Sequence, residues 1–440
     1  MWLSHRITRA IALAMMFAGS LAHAEEYLET EESVHSHPTV MDAWFNGKAE
    51  VYIQDGLFAK VFPELRRDFA EEGIIAYGWS MTALQGNPVG GRDQDFQFTN
   101  LTDFGVDFDL ETIAGIEGLS ARISGSSASG NDLTEDVGAT IPVNAVFSGD
   151  STRFFEMYLE QEWGDEQWNL RVGRLAVGWE YGLDYDVFTN YLSAAYRLNV
   201  FGLDANTPNF SVIPFANWGA RLRWTPNENW KLQASFMNGS PQDFADDNLH
   251  GLEFDFQPGR GSFLIAEGTY QWSATEQQRR SSGRLPGRIT LGTYFDTGEF
   301  DHLDGSGRTG RDVGSVYGIV RQKVWEPEPL TDRGVHVWSA VTHAWNESLV
   351  TFPWYVNGGL LWFGPLESRQ HDNLALGFAN GWFSDSLQGQ STESVLSASY
   401  TFYINDVLDI TPNVQYVVQP GGRSNTDDAL ILGVLFYLTL

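Results

Sequence analysis

Asp103-Phe104-Gly105-Val106-Asp107-Phe108-Asp109-Leu110 is the stretch whose reading decides the fold. Phe104, Val106, Phe108 and Leu110 fall on one face, and Asp103, Asp107 and Asp109 on the other, the period of two that belongs to a β-strand. In a soluble sandwich the apolar face would be core. In a transmembrane barrel it would meet lipid, and the acids would face water inside.

The same pattern recurs, and the number of strands and their connections separate the two architectures. Alternation predicts strands over 74–83, 101–110, 118–125, 153–162, 168–174, 215–224, 230–238, 261–272, 287–296, 313–324, 333–343, 353–363, 373–383, 393–404, 408–418 and 428–440. That is sixteen, an even number. Links from even to odd strands are mostly short, as at Asn405-Asp406-Val407, whereas the early odd-to-even links are long, above all residues 175–214. Short turns at one rim and long loops at the other are the pattern of an outer-membrane barrel. Tyr77, Trp79, Trp163, Trp168, Trp218, Trp224, Trp230, Trp354 and Trp362 sit near strand ends and are expected on the lipid side as aromatic girdles. The charge-free stretch from Ser348 to Leu366 contains Pro353, Pro365, Gly358, Gly359 and Gly364, so it reads as a strand rather than a membrane helix. The fold class is therefore all-β, a 16-stranded antiparallel transmembrane barrel.

Composition agrees. Of 440 residues, 57 are acidic and 27 are Lys or Arg, giving a formal charge of −30. This excludes a basic face that binds nucleic acid through phosphates. With no Cys, disulfide scaffolds, thiol catalysis and Cys-based zinc sites are excluded as well. The first 24 residues read as a signal peptide, with His5, Arg6 and Arg9 before an apolar run and Ala22-His23-Ala24 at the cleavage position. Residues 25–62 form an acidic tail opening on Glu25, Glu26, Glu29, Glu31 and Glu32. Residues 63–73 read as a short periplasmic-side helix, with Pro63 at its start, Leu65 and Phe69 at i and i+4, and Gly73 as its stop. Residues 74–440 make the barrel, and the expected location is the bacterial outer membrane.

Several ordered blocks resemble the OprB-type carbohydrate-selective porin family. They are Leu285-Pro286-Gly287 followed by Leu291-Gly292-Thr293-Tyr294-Phe295-Asp296-Thr297-Gly298-Glu299-Phe300, and Gln419-Pro420-Gly421-Gly422 followed by Asp428-Ala429-Leu430-Ile431-Leu432-Gly433. Leu159-Glu160-Gln161, Leu170-Arg171-Val172-Gly173-Arg174-Leu175 and Phe236-Met237-Asn238-Gly239 are similar too. The resemblance runs from about residue 63 to the end. It implies a 16-stranded outer-membrane barrel through which sugars such as glucose diffuse into the periplasm.

No catalytic constellation is present. Gly305-Ser306-Gly307-Arg308-Thr309-Gly310 matches a nucleotide-binding fingerprint in letters only, because strand alternation rather than a helix follows it. Neither enzyme activity nor a cofactor or metal is expected. The inward strand positions carry Asp103, Asp107, Asp109, Glu156, Glu160, Glu267, Asp296, Glu393 and Asp409 against Arg122, Arg171, Arg221, Arg223, Lys231, Arg321 and Lys323, a lining of nearly balanced charge. With Tyr158, Tyr294 and Tyr317 it suits a neutral polyhydroxylated solute. The connection 175–214 is too long for a hairpin link. It carries Trp179, Glu180, Tyr181, Asp184, Tyr185 and Asp186, and is expected to fold inward as a constriction. Arg122, Glu156, Tyr158, Arg171, Arg221 and Glu267 are expected to meet it, with Arg171 the foremost candidate. Expected partners are small sugars and outer-membrane lipid and lipopolysaccharide, in a monomer or homotrimer. A general small-solute porin and a non-conducting adhesin or structural barrel are the alternative readings.

Overall fold

The computed structural model describes residues 56–147, 149–196, 200–239, 261–273 and 282–440. The expected signal segment and residues 25–55 of the expected tail lie outside the described residues. Two short helices, α1 (Leu57–Val61) and α2 (Pro63–Glu71), precede the first strand. Sixteen strands follow: β1 (Ile74–Gly91), β2 (Phe96–Asp109), β3 (Leu119–Gly130), β4 (Ser151–Trp163), β5 (Trp168–Leu175), β6 (Asn217–Asn227), β7 (Trp230–Asn238), β8 (Ser262–Trp272), β9 (Gly287–Asp301), β10 (Thr309–Trp325), β11 (Gly334–Trp345), β12 (Trp354–Phe363), β13 (Asn373–Trp382), β14 (Thr392–Asn405), β15 (Leu408–Val418) and β16 (Asp427–Thr439). Each pairs antiparallel with its sequence neighbours, and β1 closes the barrel on β16, with Met81 opposite Tyr437. Closure leaves no sheet edge, which is what allows strands to stand in hydrocarbon.

The alternation is realised in three dimensions. Outward residues such as Phe104, Leu159, Leu222, Leu291, Leu396 and Leu432 are exposed apolar side chains, while inward neighbours such as Arg221, Glu267, Asp296 and Gln415 are buried. This is the inverse of a soluble core and the signature of a barrel whose outside is solvated by lipid.

Two expectations are corrected. The first connection is residues 92–95 rather than a long loop, because β1 and β2 both continue past the predicted ends. Pro88, Gly90 and Gly91 sit in register shifts between β1 and β16, and the Asn87 side chain takes over local pairing by accepting from Asp95 N at 3.0 Å and donating to Asp93 O at 2.7 Å. Tyr77 and Trp79 point into the lumen, not to lipid. Tyr77 lies under the Arg122 guanidinium at 4.6 Å, and Trp79 meets Trp179 edge-on at 6.4 Å. The outer girdle instead includes a stack of Trp163 on Trp168 and Trp168 on Trp224, with centroids 6.2 and 5.3 Å apart.

Candidate functional site

Two long connections fold into the barrel. Loop 2, residues 131–150, carries α3 (Leu133–Val137), and loop 3, residues 176–216, carries α4 (Tyr185–Phe188). Many of their apolar residues are buried: Val177, Tyr181, Val187, Tyr191, Tyr196 and Phe210 of loop 3 cluster with Val137, Ile141 and Val143 of loop 2 and with inward wall residues such as Trp338 and Tyr355. Burying a large apolar side chain stabilises by on the order of 1.5–3 kcal/mol relative to exposure, so such a set holds the loops as part of the fold. The loops also pair with each other, Ala145 N donating to Leu192 O and Ala194 N to Pro142 O.

Wall carboxylates clamp the loop backbones. Glu156 of β4 accepts from Ala176 N at 2.9 Å, and Glu267 of β8 accepts from Gly182 N at 2.8 Å and from Tyr317 Oη at 2.8 Å. Asp296 of β9 accepts from Thr207 Oγ1 and from Asn209 Nδ2. Glu393 of β14 accepts from Thr140 N at 2.8 Å, Ile141 N at 2.7 Å and Gly421 N at 2.5 Å, tying loop 2 to the β15–β16 loop. A buried backbone donor left without a partner costs about 1–3 kcal/mol, which is what these carboxylates offset.

In the opposite sense, loop carboxylates hold wall cations. Arg171 of β5 lies directly opposite Arg221 of β6, and Arg288 of β9 opposite Arg321 of β10. Like charges in these positions repel. Glu180 answers the first pair, with Oε1 2.5 Å from Arg171 Nη1 and Oε2 3.3 Å from Arg221 Nε and 2.9 Å from Arg223 Nη2. Asp184 answers the second, with Oδ2 2.8 Å from Arg288 Nη2 and 2.9 Å from Arg321 Nε. Burial alone would raise the Glu180 pKa, but Arg221, Arg171 and Arg223 outweigh it and hold the carboxyl well below the usual range. Arg288 and Arg321 likewise overcome burial to keep Asp184 low. Both loop acids are thus ionised at neutral pH.

A third group of wall residues pairs across neighbouring strands, with Arg122, Asp107, Arg171 and Glu160 partly exposed and Tyr158 buried among them. Arg122 of β3 forms a two-point ion pair with Asp107 of β2, Nε to Oδ1 and Nη2 to Oδ2, each 2.6 Å. Its guanidinium lies 4.6 Å from the Tyr77 ring and 5.9 Å from that of Tyr158, and Arg171 lies 4.7 Å from Tyr158 on the other side. Arg171 also pairs with Glu160 at 3.0 Å. The result is a row of aromatic faces and paired ions, Tyr77, Arg122, Tyr158 and Arg171, running across β1 to β5 and ending on Glu180.

The expected constriction residues therefore divide by role. Arg171, Arg221, Glu180 and Tyr158 come together, and Tyr181 is buried there, its hydroxyl 2.6 Å from Ser235 Oγ. Glu156 and Glu267 meet loop 3 through its backbone. Arg122 pairs on the wall with Asp107, Trp179 packs on Trp79, and Asp184 reaches the more distant cations of β9 and β10. Asp109, expected on the lumen wall, instead caps a short helix between β2 and β3 (Leu110–Ala114), by accepting from Glu111 N and Thr112 N. The strand ends one residue earlier than the alternation implied, because Asp is a better cap than strand residue. Sequence reasoning missed Arg288, although it shares strand parity with Thr290, Tyr294 and Asp296. It also missed the inward folding of loop 2.

Comparison with known proteins agrees with this architecture. A family model described as carbohydrate-selective porin, OprB family, matches residues 93–439. Porin B of Pseudomonas aeruginosa is 24% identical over 392 residues, covering 79% of this chain and 83% of that protein. The solved structure of Pseudomonas putida OprB at high pH superposes with a TM-score of 0.78 and 18% identity over 86% of this chain and 97% of the other. The low-pH structure of the same protein gives 0.58 and 16% over 86% and 96%.

Proposed function

Because the chain belongs to the OprB family of carbohydrate-selective porins, we propose that the row Tyr77, Arg122, Tyr158 and Arg171, closed off by Glu180 of loop 3, is the track along which a neutral monosaccharide such as glucose crosses. The chain is a sugar porin, a channel rather than an enzyme, and a porin barrel implies the outer membrane as its location. On our reading, export proceeds by cleavage after Ala24, outer-membrane lipid and lipopolysaccharide surround the barrel, and each barrel conducts by itself in a monomer or a homotrimer.

One observation carries the assignment of the track. Arg122 with Asp107 and Arg171 with Glu160 present donors and acceptors side by side at 2.6–3.0 Å, the first pair between the rings of Tyr77 and Tyr158 and the second on the far side of Tyr158. A sugar needs both kinds of contact, paired donors and acceptors for its hydroxyls and an apolar face for its C–H groups. A solute with a net charge would have to break one of the ion pairs. Glucose should therefore block ion current through single channels in planar bilayers, and Arg171→Ala should weaken that block. Undiminished block in the variant would overturn the role given to Arg171.

A further inference from the structure

Helix α2 leaves its apolar side uncovered. No residue of Pro63–Glu71 is buried; Leu65 and Phe69, at i and i+4 on one face of α2, are 45 and 40% exposed, and Val61 at the end of α1 and Phe62 at the break between the two helices are each 52% exposed. In a water-facing helix, side chains of this size would be polar or would pack on something.

The location of the face identifies what covers it. Helices α1 and α2 run along the rim that carries the short turns. A Cβ at Gly56 would strike the Leu440 carbonyl at the end of the barrel, Lys60 Nζ is 2.9 Å from Asp406 in the β14–β15 turn, and Asp109 N donates to Gly73 O at the foot of β1. At Gly73 the exposed face continues onto the β2–β3 turn, where Ile113 lies against that glycine and Ile113 and Ile116 are each 47% exposed. From there it meets the outward side of β2, whose Phe104 is 48% exposed and belongs to the lipid-facing belt. The exposed apolar side chains of the helices and of the β2–β3 turn therefore stand at the rim where the lipid-facing belt of β2 begins.

We propose that α1 and α2 form an interfacial anchor, with Val61, Phe62, Leu65 and Phe69 together with Ile113 and Ile116 inserted into the phospholipid leaflet at the short-turn rim. An amphipathic helix lying in the interface plane buries its apolar face about 5–10 Å into the boundary between headgroups and acyl chains. The partner is zwitterionic phospholipid rather than a specifically anionic surface, because Glu64, Asp68, Glu71 and Glu72 offset Lys60, Arg66 and Arg67 in the same segment. The inference rests on the barrel reading, and its test separates the two.

The chain contains no Cys, so single spin labels can be placed without background. Leu65→Cys, Phe69→Cys, Arg67→Cys and, on the belt, Phe104→Cys are labelled in the full-length protein and reconstituted into phosphatidylethanolamine–phosphatidylcholine vesicles. Only samples with the mobility of the folded barrel on unheated gels are measured. Collision with oxygen should dominate over collision with a water-soluble nickel chelate at positions 65, 69 and 104, and the order should reverse at position 67, on the opposite side of α2. Nickel-dominated collision at 65 and 69 with oxygen-dominated collision at 104 would overturn the anchor and leave the barrel reading intact. Low accessibility to both reagents at 65 and 69 would also overturn it, by showing protein packed on this face. Nickel-dominated collision at 104 as well would defeat the barrel reading itself, and the anchor with it.

Discussion

The Glu180 carboxylate of loop 3 sits 2.5 Å from the Arg171 guanidinium of β5 and also reaches Arg221 and Arg223 of β6, so one buried acid joins the loop to two strands of the wall. Removing one partner of such a buried pair costs far more than the net worth of the pair, about 3–5 kcal/mol, because the remaining charge is left uncompensated. Glu180→Gln should therefore lower the temperature at which the folded band disappears from gels and raise single-channel conductance, since the loop loses its hold on the wall. It should also shift ion selectivity toward anions, because three guanidinium groups lose their counter-charge. Unchanged selectivity would contradict the placement of Glu180 beside the conducting path.

Arg171 contributes to the track itself. Arg171→Ala should raise conductance and weaken glucose block, whereas Leu170→Val, on the outward side of the same strand, should leave both nearly unchanged. Equal effects from the two substitutions would remove the distinction between the lumen and lipid faces of β5.

The predicted strands are all present, because a period of two with one face in lipid is written into every strand, and the short turns carry their own Gly, Asn and Asp signals. The site was less legible. Parity identified Glu156, Glu267 and Glu393 as inward, but nothing local distinguishes a carboxylate that meets solute from one that accepts from a loop N–H; that depends on where residues 140, 176 and 182 arrive in space. Loop 2 was unreadable for the same reason, since its inward course is set by Glu393, more than two hundred positions away in the chain. Aromatics near strand ends usually form girdles, which from sequence alone puts Tyr77 and Trp79 on the lipid side, whereas the first strand presents them to Arg122 and Trp179.

Glu393 provides a test of that distinction. Its two oxygens accept three backbone N–H groups from two loops, so Glu393→Ala leaves two buried donors and one half-buried donor without partners, the buried ones costing about 1–3 kcal/mol each. Noisier currents and a lower unfolding temperature are expected, with glucose block retained because the track lies across β1 to β5. Abolished block with unchanged stability would assign Glu393 to the solute path.

Loop 3 also carries a pH-dependent element outside the strands. Burial pushes the Asp204 carboxyl up to about 7, against the opposing pull of its own and the Ala205 backbone N–H. The folded protein then holds this proton where the unfolded chain, with an ordinary Asp near 4, releases it, so stability falls as pH rises between about 4 and 7 and the penalty is complete above that window. Asp204→Asn should raise the unfolding temperature at pH 8 and leave it nearly unchanged at pH 4. A gain of equal size at both pH values would show that the carboxyl is ionised throughout.

The closed barrel itself has a simple signature. With β1 paired to β16 there is no free edge at which unfolding can begin in detergent, so unheated samples should migrate differently from boiled ones on SDS gels. Identical mobility would argue against closure.

The most direct measurement of sugar passage is swelling of liposomes that contain the purified protein, followed with glucose, a disaccharide and zwitterionic amino acids chosen to span the same range of mass. Swelling with glucose should be faster than with amino acids of similar or smaller mass, and slower with the disaccharide. Rates that follow mass alone would make the channel a general small-solute pore, and the absence of swelling with every solute would contradict conduction altogether.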